Sequence, residues 1–185
     1  MASETFVSAL LLVTGVVTAA ILIVAVLPVI WSMVGTFSSA SAATDKSMRT
    51  DFKIVTTYAK YTPGASPPFP GVVTTVWMKN VGTNPIGYPE INLADVYFGK
   101  SDSFGRATLK YPNYTVVDRP TNTAIQWNFS IRDPPGSTNN GIWEPGETLE
   151  VNAFFPYATS LIGQPMYFQF TLPNSVSRSI VYTAV

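Results

Sequence analysis

The sequence predicts an α+β chain, a long N-terminal hydrophobic helix followed by an antiparallel β-sandwich. Three observations carry this. The first 44 residues hold a single charge, Glu4. From Phe6 to Val34 the residues are almost wholly apolar, and roughly 20 such residues suffice to cross a bilayer as a helix. Beyond about Asp51 the pattern changes to short β-branched and aromatic runs separated by Pro, Gly and Asn. The expected division is 1–50 for the helix with a short connector, and 51–185 for a β-sandwich of ordinary domain size.

The helix comes first. Ser3 is its expected N-cap, with Glu4 in the first turn against the positive end of the helix dipole. Pro28 removes one backbone donor, so the helix must kink there or accommodate it locally. Trp31 stands where an aromatic residue marks a membrane interface. The small and polar stretch from Gly35 to Ala43 leads into Asp45, Lys46, Arg49, Asp51 and Lys53. The helix either breaks near Gly35 or continues into these charges. Gly15 and Ala19 form a small-xxx-small pair of the kind that lets helices approach closely. A cleaved signal peptide would need a basic start and a shorter apolar core. Cleavage near Ser41–Ala43 is conceivable, but a retained anchor is expected.

Strands are expected near 52–61, 72–80, 91–98, 114–118, 124–131, 149–155, 166–172 and 177–183. Proline-rich or glycine-rich separators lie at 63–71, 82–89 and 133–141, where turn chemistry wants them. Period-two alternation is clear in two places. Trp127, Phe129 and Ile131 share one face, opposite Gln126, Asn128 and Ser130. Met166, Phe168, Phe170 and Leu172 alternate with Tyr167, Gln169 and Thr171. Short strands at this spacing indicate two packed antiparallel sheets.

Composition removes several classes of function. The 185 residues contain no Cys and no His, and the formal net charge is zero. Disulfides, thiol nucleophiles, histidine bases and thiolate or imidazole metal sites are therefore excluded. No basic stripe invites nucleic acid, and no glycine-rich phosphate loop is present. No catalytic residue and no cofactor are expected. Glu144, Glu147 and Glu150 read as a solvated turn leading into a strand rather than as paired catalytic carboxylates. The stretch Gly136–Glu147 has the length of a calcium loop, with Asn140, Glu144 and Glu147 at ligand positions. Its first and third positions are Gly136 and Thr138, where carboxylates or Asn are expected. Asn113 and Asn128 head N-glycosylation sequons. Trp77, Tyr97 and Trp143 read as core or turn packing.

Three stretches resemble a known family. They are MASETFVSALLLVTGVVTAAILIV at the start, VWMKNVGTNPIGYPEINLADVYFG at 76–99 and NNGIWEPGETLEV at 139–151. Together they resemble the archaellum accessory proteins of the FlaG/FlaF group, FlaG more closely, with archaellins and archaeal pilin-like proteins as more distant kin. The resemblance implies an immunoglobulin-like β-sandwich on an N-terminal membrane helix, placed outside the cytoplasmic membrane. It implies a non-enzymatic stator that self-associates, binds a FlaF-type partner and links the motor to the S-layer protein. A filament subunit, with its helix in a filament core, is the alternative within the same superfamily. Such subunits begin with a basic leader, and here no Lys or Arg precedes the helix. A surface adhesion module is a third reading. One feature runs against an outward domain: Lys46, Arg49 and Lys53 all follow the helix, and positive flanks favour the cytoplasmic side.

Overall fold

The computed structural model describes residues 2–63, 70–110, 124–133, 140–157 and 159–185. The chain separates into two compact units, Met1–Asp45 and Lys46–Val185.

The first unit is helix α1, which runs from Ala2 to Arg49 and so contributes its last turn to the second unit. Helix begins at Ala2, so Ser3 lies inside it and is not its cap. Helical hydrogen bonding continues past both Pro28 and Gly35 into the charged stretch. Hydroxyl side chains are absorbed internally. Thr14 donates to the Leu10 carbonyl at 2.8 Å, Thr18 to that of Thr14 at 2.8 Å and Thr36 to that of Ser32 at 2.9 Å. This back-bonding removes their need for polar neighbours. Apolar side chains stand exposed all round the helix, Leu12, Ile21, Trp31 and Phe37 among them. The helix is long and apolar enough to cross a membrane.

In the second unit the chain forms β1 (Phe52–Thr62), β2 (Gly71–Asn80), β3 (Ile86–Gly87), α2 (Tyr88–Asn92), β4 (Asp95–Lys100) and β5 (Ser103–Leu109). It continues with β6 (Gln126–Arg132), β7 (Ile142–Trp143), β8 (Thr148–Pro156), β9 (Pro165–Thr171) and β10 (Ser177–Thr183). Eight strands follow one another in the order β1-β2-β8-β6-β5-β4-β9-β10, and β3 pairs with β7 separately. The pairs are antiparallel except β5 with β6, which meet in parallel at Thr108–Gln126 and Leu109–Trp127. That short parallel link joins two antiparallel halves. They fold onto each other, so that Phe170 of β9 meets Trp127 of β6 edge-on at 6.0 Å and Phe52 of β1 at 5.6 Å. The outer ends also meet: Val185 exchanges backbone hydrogen bonds with Ala59 and Tyr61 of β1, at 3.0 and 2.9 Å. The sandwich is thus nearly a closed barrel.

Alternation built this core. Met166, Phe168, Phe170 and Leu172 all point inward, as their spacing predicts. Trp127, Phe129 and Ile131 do the same, but the opposite face of β6 differs from expectation. Asn128 is 3 % exposed and Gln126 is also buried. The expected strand at 91–98 begins only at Asp95, because Pro89 opens α2 at its first turn and Ile91 enters the core from that helix. Pro is well suited to a first turn, where its missing N–H would be unpaired anyway. β5 was not expected at all. Its sequence, SFGRATL, lacks the dense β-branched signal of the other strands, and cross-strand pairing with β4 makes it a strand. The expected strand at 114–118 lies outside the described residues.

Candidate functional site

The densest polar construction in the second unit surrounds the end of α1. Thr50 closes the helix: its N–H and its hydroxyl both donate to the Lys46 carbonyl, at 3.1 and 2.7 Å. The carbonyls left over at the helix end then need donors. Loop 81–84 supplies them. Thr83 and Asn84 donate their N–H groups to the Arg49 carbonyl, and Val81 and Gly82 donate theirs to the Asp51 carbonyl, all within 3.2 Å. Asn84 adds a side-chain bond to the Thr50 hydroxyl at 3.2 Å. Gly82 is required by close approach. A Cβ there would press on the Arg49 carbonyl oxygen and stand 2.5 Å from the Asp51 nitrogen.

Asn80 holds this loop in place. It is fully buried. Its amide nitrogen donates to the carbonyls of Asn84 and Trp143, each at 3.0 Å, and its side-chain oxygen accepts from the Gly82 N–H at 3.0 Å. Its backbone N–H donates to the Glu147 carbonyl at 3.0 Å, and its carbonyl accepts from Gly146 at 2.8 Å. One residue therefore joins the helix-exit loop to the turn at 143–147. That turn is shaped by Gly146, whose φ of 90° a side chain rarely tolerates. The buried Trp143 indole donates to the Glu147 carbonyl at 2.9 Å.

Charges ring the same place. Lys46 pairs with Glu90 of α2. Asp51 pairs with Arg178 of β10, whose guanidinium lies 5.9 Å over the Phe52 ring. Ser47 donates to the Asn174 carbonyl at 3.2 Å. The final turn of α1 is thus fixed to the sandwich from three sides, by loop 81–84, α2 and the β9–β10 turn.

A second network lies on the face of β2, β8 and β6. Glu150 accepts from Arg132 at 2.9 Å, from Trp77 at 3.2 Å and from Asn152 at 3.3 Å. Burial alone would raise its pKa, but these donors outweigh it and hold the carboxyl below its ordinary range. On the inner side, burial raises the Tyr182 hydroxyl well above the ordinary phenol value, against its hydrogen bond with Thr74 at 3.1 Å.

The residues singled out from sequence fall differently. Asn140, Glu144 and Glu147 do come together, and their oxygens serve the loop itself. Asn140 accepts from the Ile142 N–H at 2.9 Å and donates to Glu144 at 3.2 Å, and Glu147 accepts from the Glu144 N–H at 2.9 Å. Among the described residues no group of three or more acidic, His or Cys side chains is placed to hold a metal. Asn128 is buried on β6, opposite Asn152 of β8. Asn113 lies outside the described residues, as do Gly136 and Thr138. Trp143 is buried, while Trp77 and Tyr97 are half-buried. Sequence reasoning missed Asn80, Gly82 and Thr50. The available signal was the Asn80-Val-Gly-Thr-Asn84 run, two asparagines flanking a glycine just after a strand.

No family model matches the chain. A protein of Archaeoglobus fulgidus, described as uncharacterized, is 26 % identical over 151 residues, covering 82 % of this chain and 80 % of that one. A chain of the archaeal flagellum of Methanospirillum hungatei strain JF1 matches with a TM-score of 0.63 at 14 % identity, over 96 % of this chain and 91 % of that one. The protein has an archaellin-like fold. The archaeal flagellin FlaB1 from Methanocaldococcus jannaschii shares that fold at a TM-score of 0.50, with 10 % identity over 73 % of this chain and 90 % of that one. The archaellum periplasmic stator protein FlaG from Sulfolobus acidocaldarius aligns over 72 % of this chain and 99 % of its own, with 18 % identity and a TM-score of 0.44. The archaellin-like match spans helix and sandwich together.

Proposed function

We propose that this chain is a structural, non-enzymatic component of the archaellum motility machinery, of the stator type. Its N-terminal helix sits in the cell membrane and its β-domain stands on the outer side. The reading is supported above all by the helix exit. A tether would need only a flexible connector, whereas here the last turn of α1 is clamped by backbone hydrogen bonds and the Lys46–Glu90 ion pair, and the residues just after it by the Asp51–Arg178 pair. A force applied at the sandwich then reaches the helix through many bonds at once, as a stationary anchor requires. Two of the three stretches that resemble the FlaG/FlaF group, 76–99 and 139–151, contain the residues of that clamp, Asn80–Asn84 and the turn at 143–147.

The partners that follow are further copies of the chain, a FlaF-type protein and the S-layer protein. The test compares the full chain in detergent with the fragment 46–185, which is a compact unit with its own core. Small discrete oligomers of the full chain, with binding of S-layer protein by the fragment, are expected. Protease digestion of intact spheroplasts should remove the β-domain; protection from the outer face would sink the outward placement and vindicate the lysine and arginine flank.

The length of α1 favours a filament subunit as the second reading, because filament cores also bury long apolar helices. Electron micrographs of the full chain showing polymers with the helix at their axis would decide for it.

A further inference from the structure

We propose that the outer face of β5, β4, β9 and β10, with the cleft beside Arg106, binds a neutral oligosaccharide. The inference goes beyond the motility reading and holds whether the chain is a stator or a filament subunit.

Strand register builds the face. Val96, Phe98, Met166, Phe168 and Phe170 are buried in the core, so alternation turns Tyr97, Tyr167 and Gln169 outward. Pairing sets the outward residues in rows. One row runs Phe104, Gly99, Tyr167, Val181, and the next runs Arg106, Tyr97, Gln169, Ser179. A third joins Asp95, Thr171 and Ser177. Rows lie about 7 Å apart and strands about 5 Å apart, so the face is broad enough for more than one sugar ring.

Aromatic rings mark this surface. Phe104 and Tyr167 flank Gly99, which places no side chain between them, and their rings meet at 4.5 Å. Phe104 is 48 % exposed, and Tyr97 and Tyr167 are half-buried. Such rings offer flat apolar surface, and the two tyrosines add a polar tip.

Beside the rings runs a fixed polar ladder. The Tyr167 hydroxyl donates to Gln169 Oε1 at 2.6 Å, and the Gln169 amide donates to the hydroxyls of Thr171 and Ser177 at 3.1 and 3.2 Å. Those two hydroxyls share a hydrogen bond at 3.0 Å. Each group is therefore oriented before a ligand arrives, and the hydroxyl oxygens retain lone pairs. Tyr97 stands between Arg106 and Gln169, and among the described residues no group bonds its hydroxyl. Arg106 donates its Nε–H to Asp95 at 2.7 Å, so the two charges of these rows neutralise each other. At this corner a cleft of about 270 Å³ opens, lined by Arg106, Asn92, Thr108 and the exposed Leu93. It repeats on a smaller scale the pairing of apolar wall with amide and hydroxyl groups.

This combination selects the ligand. A pyranose ring presents C–H groups on its faces and hydroxyls round its edge. The C–H groups lie against Phe104, Tyr97 and Tyr167, while the hydroxyls donate to and accept from the ladder and the Asp95–Arg106 pair. An apolar protein surface would strip water from the ladder's lone pairs without replacing it. A phosphate or acidic sugar finds the Arg106 charge already matched by Asp95.

The test presents the full-length chain, in a zwitterionic detergent that carries no sugar headgroup, to immobilised oligosaccharides. Cellohexaose, mannohexaose and chitohexaose are the neutral probes, and hexagalacturonate is the acidic one. Retention on at least one neutral probe, and weaker retention on hexagalacturonate, is expected. Tyr97→Ala and Phe104→Ala should each weaken binding about tenfold, with the sandwich's thermal transition intact. Ser179→Trp, which fills the exposed face without touching the core, should abolish it. Phe37→Ala, which removes an exposed ring of α1 instead, should bind as the parent does. Absence of binding to every neutral probe, equal retention on hexagalacturonate, or undiminished binding by Tyr97→Ala, Phe104→Ala and Ser179→Trp would overturn the proposal.

Discussion

The helix and the sandwich are both rich in apolar residues, yet they dispose of them in opposite ways. In α1 the apolar side chains from Phe6 to Phe37 are all exposed. In the sandwich, Phe52, Phe98, Phe129, Phe168 and Phe170 are wholly or almost wholly shielded by one another. The polar groups differ too. The apolar length of the helix turns hydroxyls such as that of Thr14 onto its own carbonyls, whereas the sandwich joins groups far apart in sequence, such as Asn80 with Trp143. A region that completes its own burial has a stability of its own. A region that does not takes its stability from whatever surrounds it. The contrast teaches that the two parts respond to different perturbations, and that Arg49–Asp51 is where one regime passes into the other.

That contrast can be broken most severely at Asn80. Asn80→Ala removes the donor to the carbonyls of Asn84 and the buried Trp143 and leaves the Gly82 amide with the Asp51 carbonyl alone, at a cost of about 3–5 kcal/mol. Urea unfolding followed by tryptophan fluorescence should show this loss, while the helical circular dichroism of the detergent-bound chain persists. A change below about 1 kcal/mol would mean that Asn80 does not organise the junction. Gly82→Ala forces a methyl group into the helix exit. About 2–3 kcal/mol is expected, together with faster amide hydrogen exchange at 46–51 than elsewhere in the domain.

Smaller effects sharpen the comparison through pH. The Glu150 carboxyl is held below its ordinary range in the fold, so its contribution is full above that range and is lost as pH falls through it. Glu150→Gln should cost about 1–2 kcal/mol at neutral pH and flatten the acid limb of the stability profile. Tyr182 behaves in the opposite sense. Its raised pKa leaves stability intact below about pH 10 and erodes it as pH rises further. Tyr182→Phe should change neutral stability by less than about 1 kcal/mol and remove that alkaline loss. Ile23→Ala, in the exposed helix, should leave the sandwich's unfolding within about 0.5 kcal/mol of the parent; a larger shift would show that the two regions are not independent.

Much of this was legible before any coordinates, because it rests on local periodicity. The uncharged run defined α1, and the alternation of 166–172 placed β9 and its buried face correctly. What stayed hidden depends on distant partners. SFGRATL becomes β5 only because β4 lies beside it. Ile91 looks like strand until Pro89 starts a helix. Asn128 alternates as an exposed residue should, yet its face is buried. The helix exit was obscured for the same reason. Asn80 reads as a turn residue, and nothing local reveals that it also reaches the carbonyl of Trp143. The resemblance stretches contained the residues of the clamp without disclosing what they clamp.

The backbone bonds between Val185 and β1 carry a consequence for biogenesis. Ala59 and Tyr61 find these hydrogen bonds more than a hundred residues downstream, so β1, paired on one edge with the neighbouring β2, is bonded on its other edge only once Val185 has been made. Pairings of such separation form slowly, whereas a helix such as α1 forms from local bonds alone. The helix is therefore formed while the closure of the domain behind it is still incomplete.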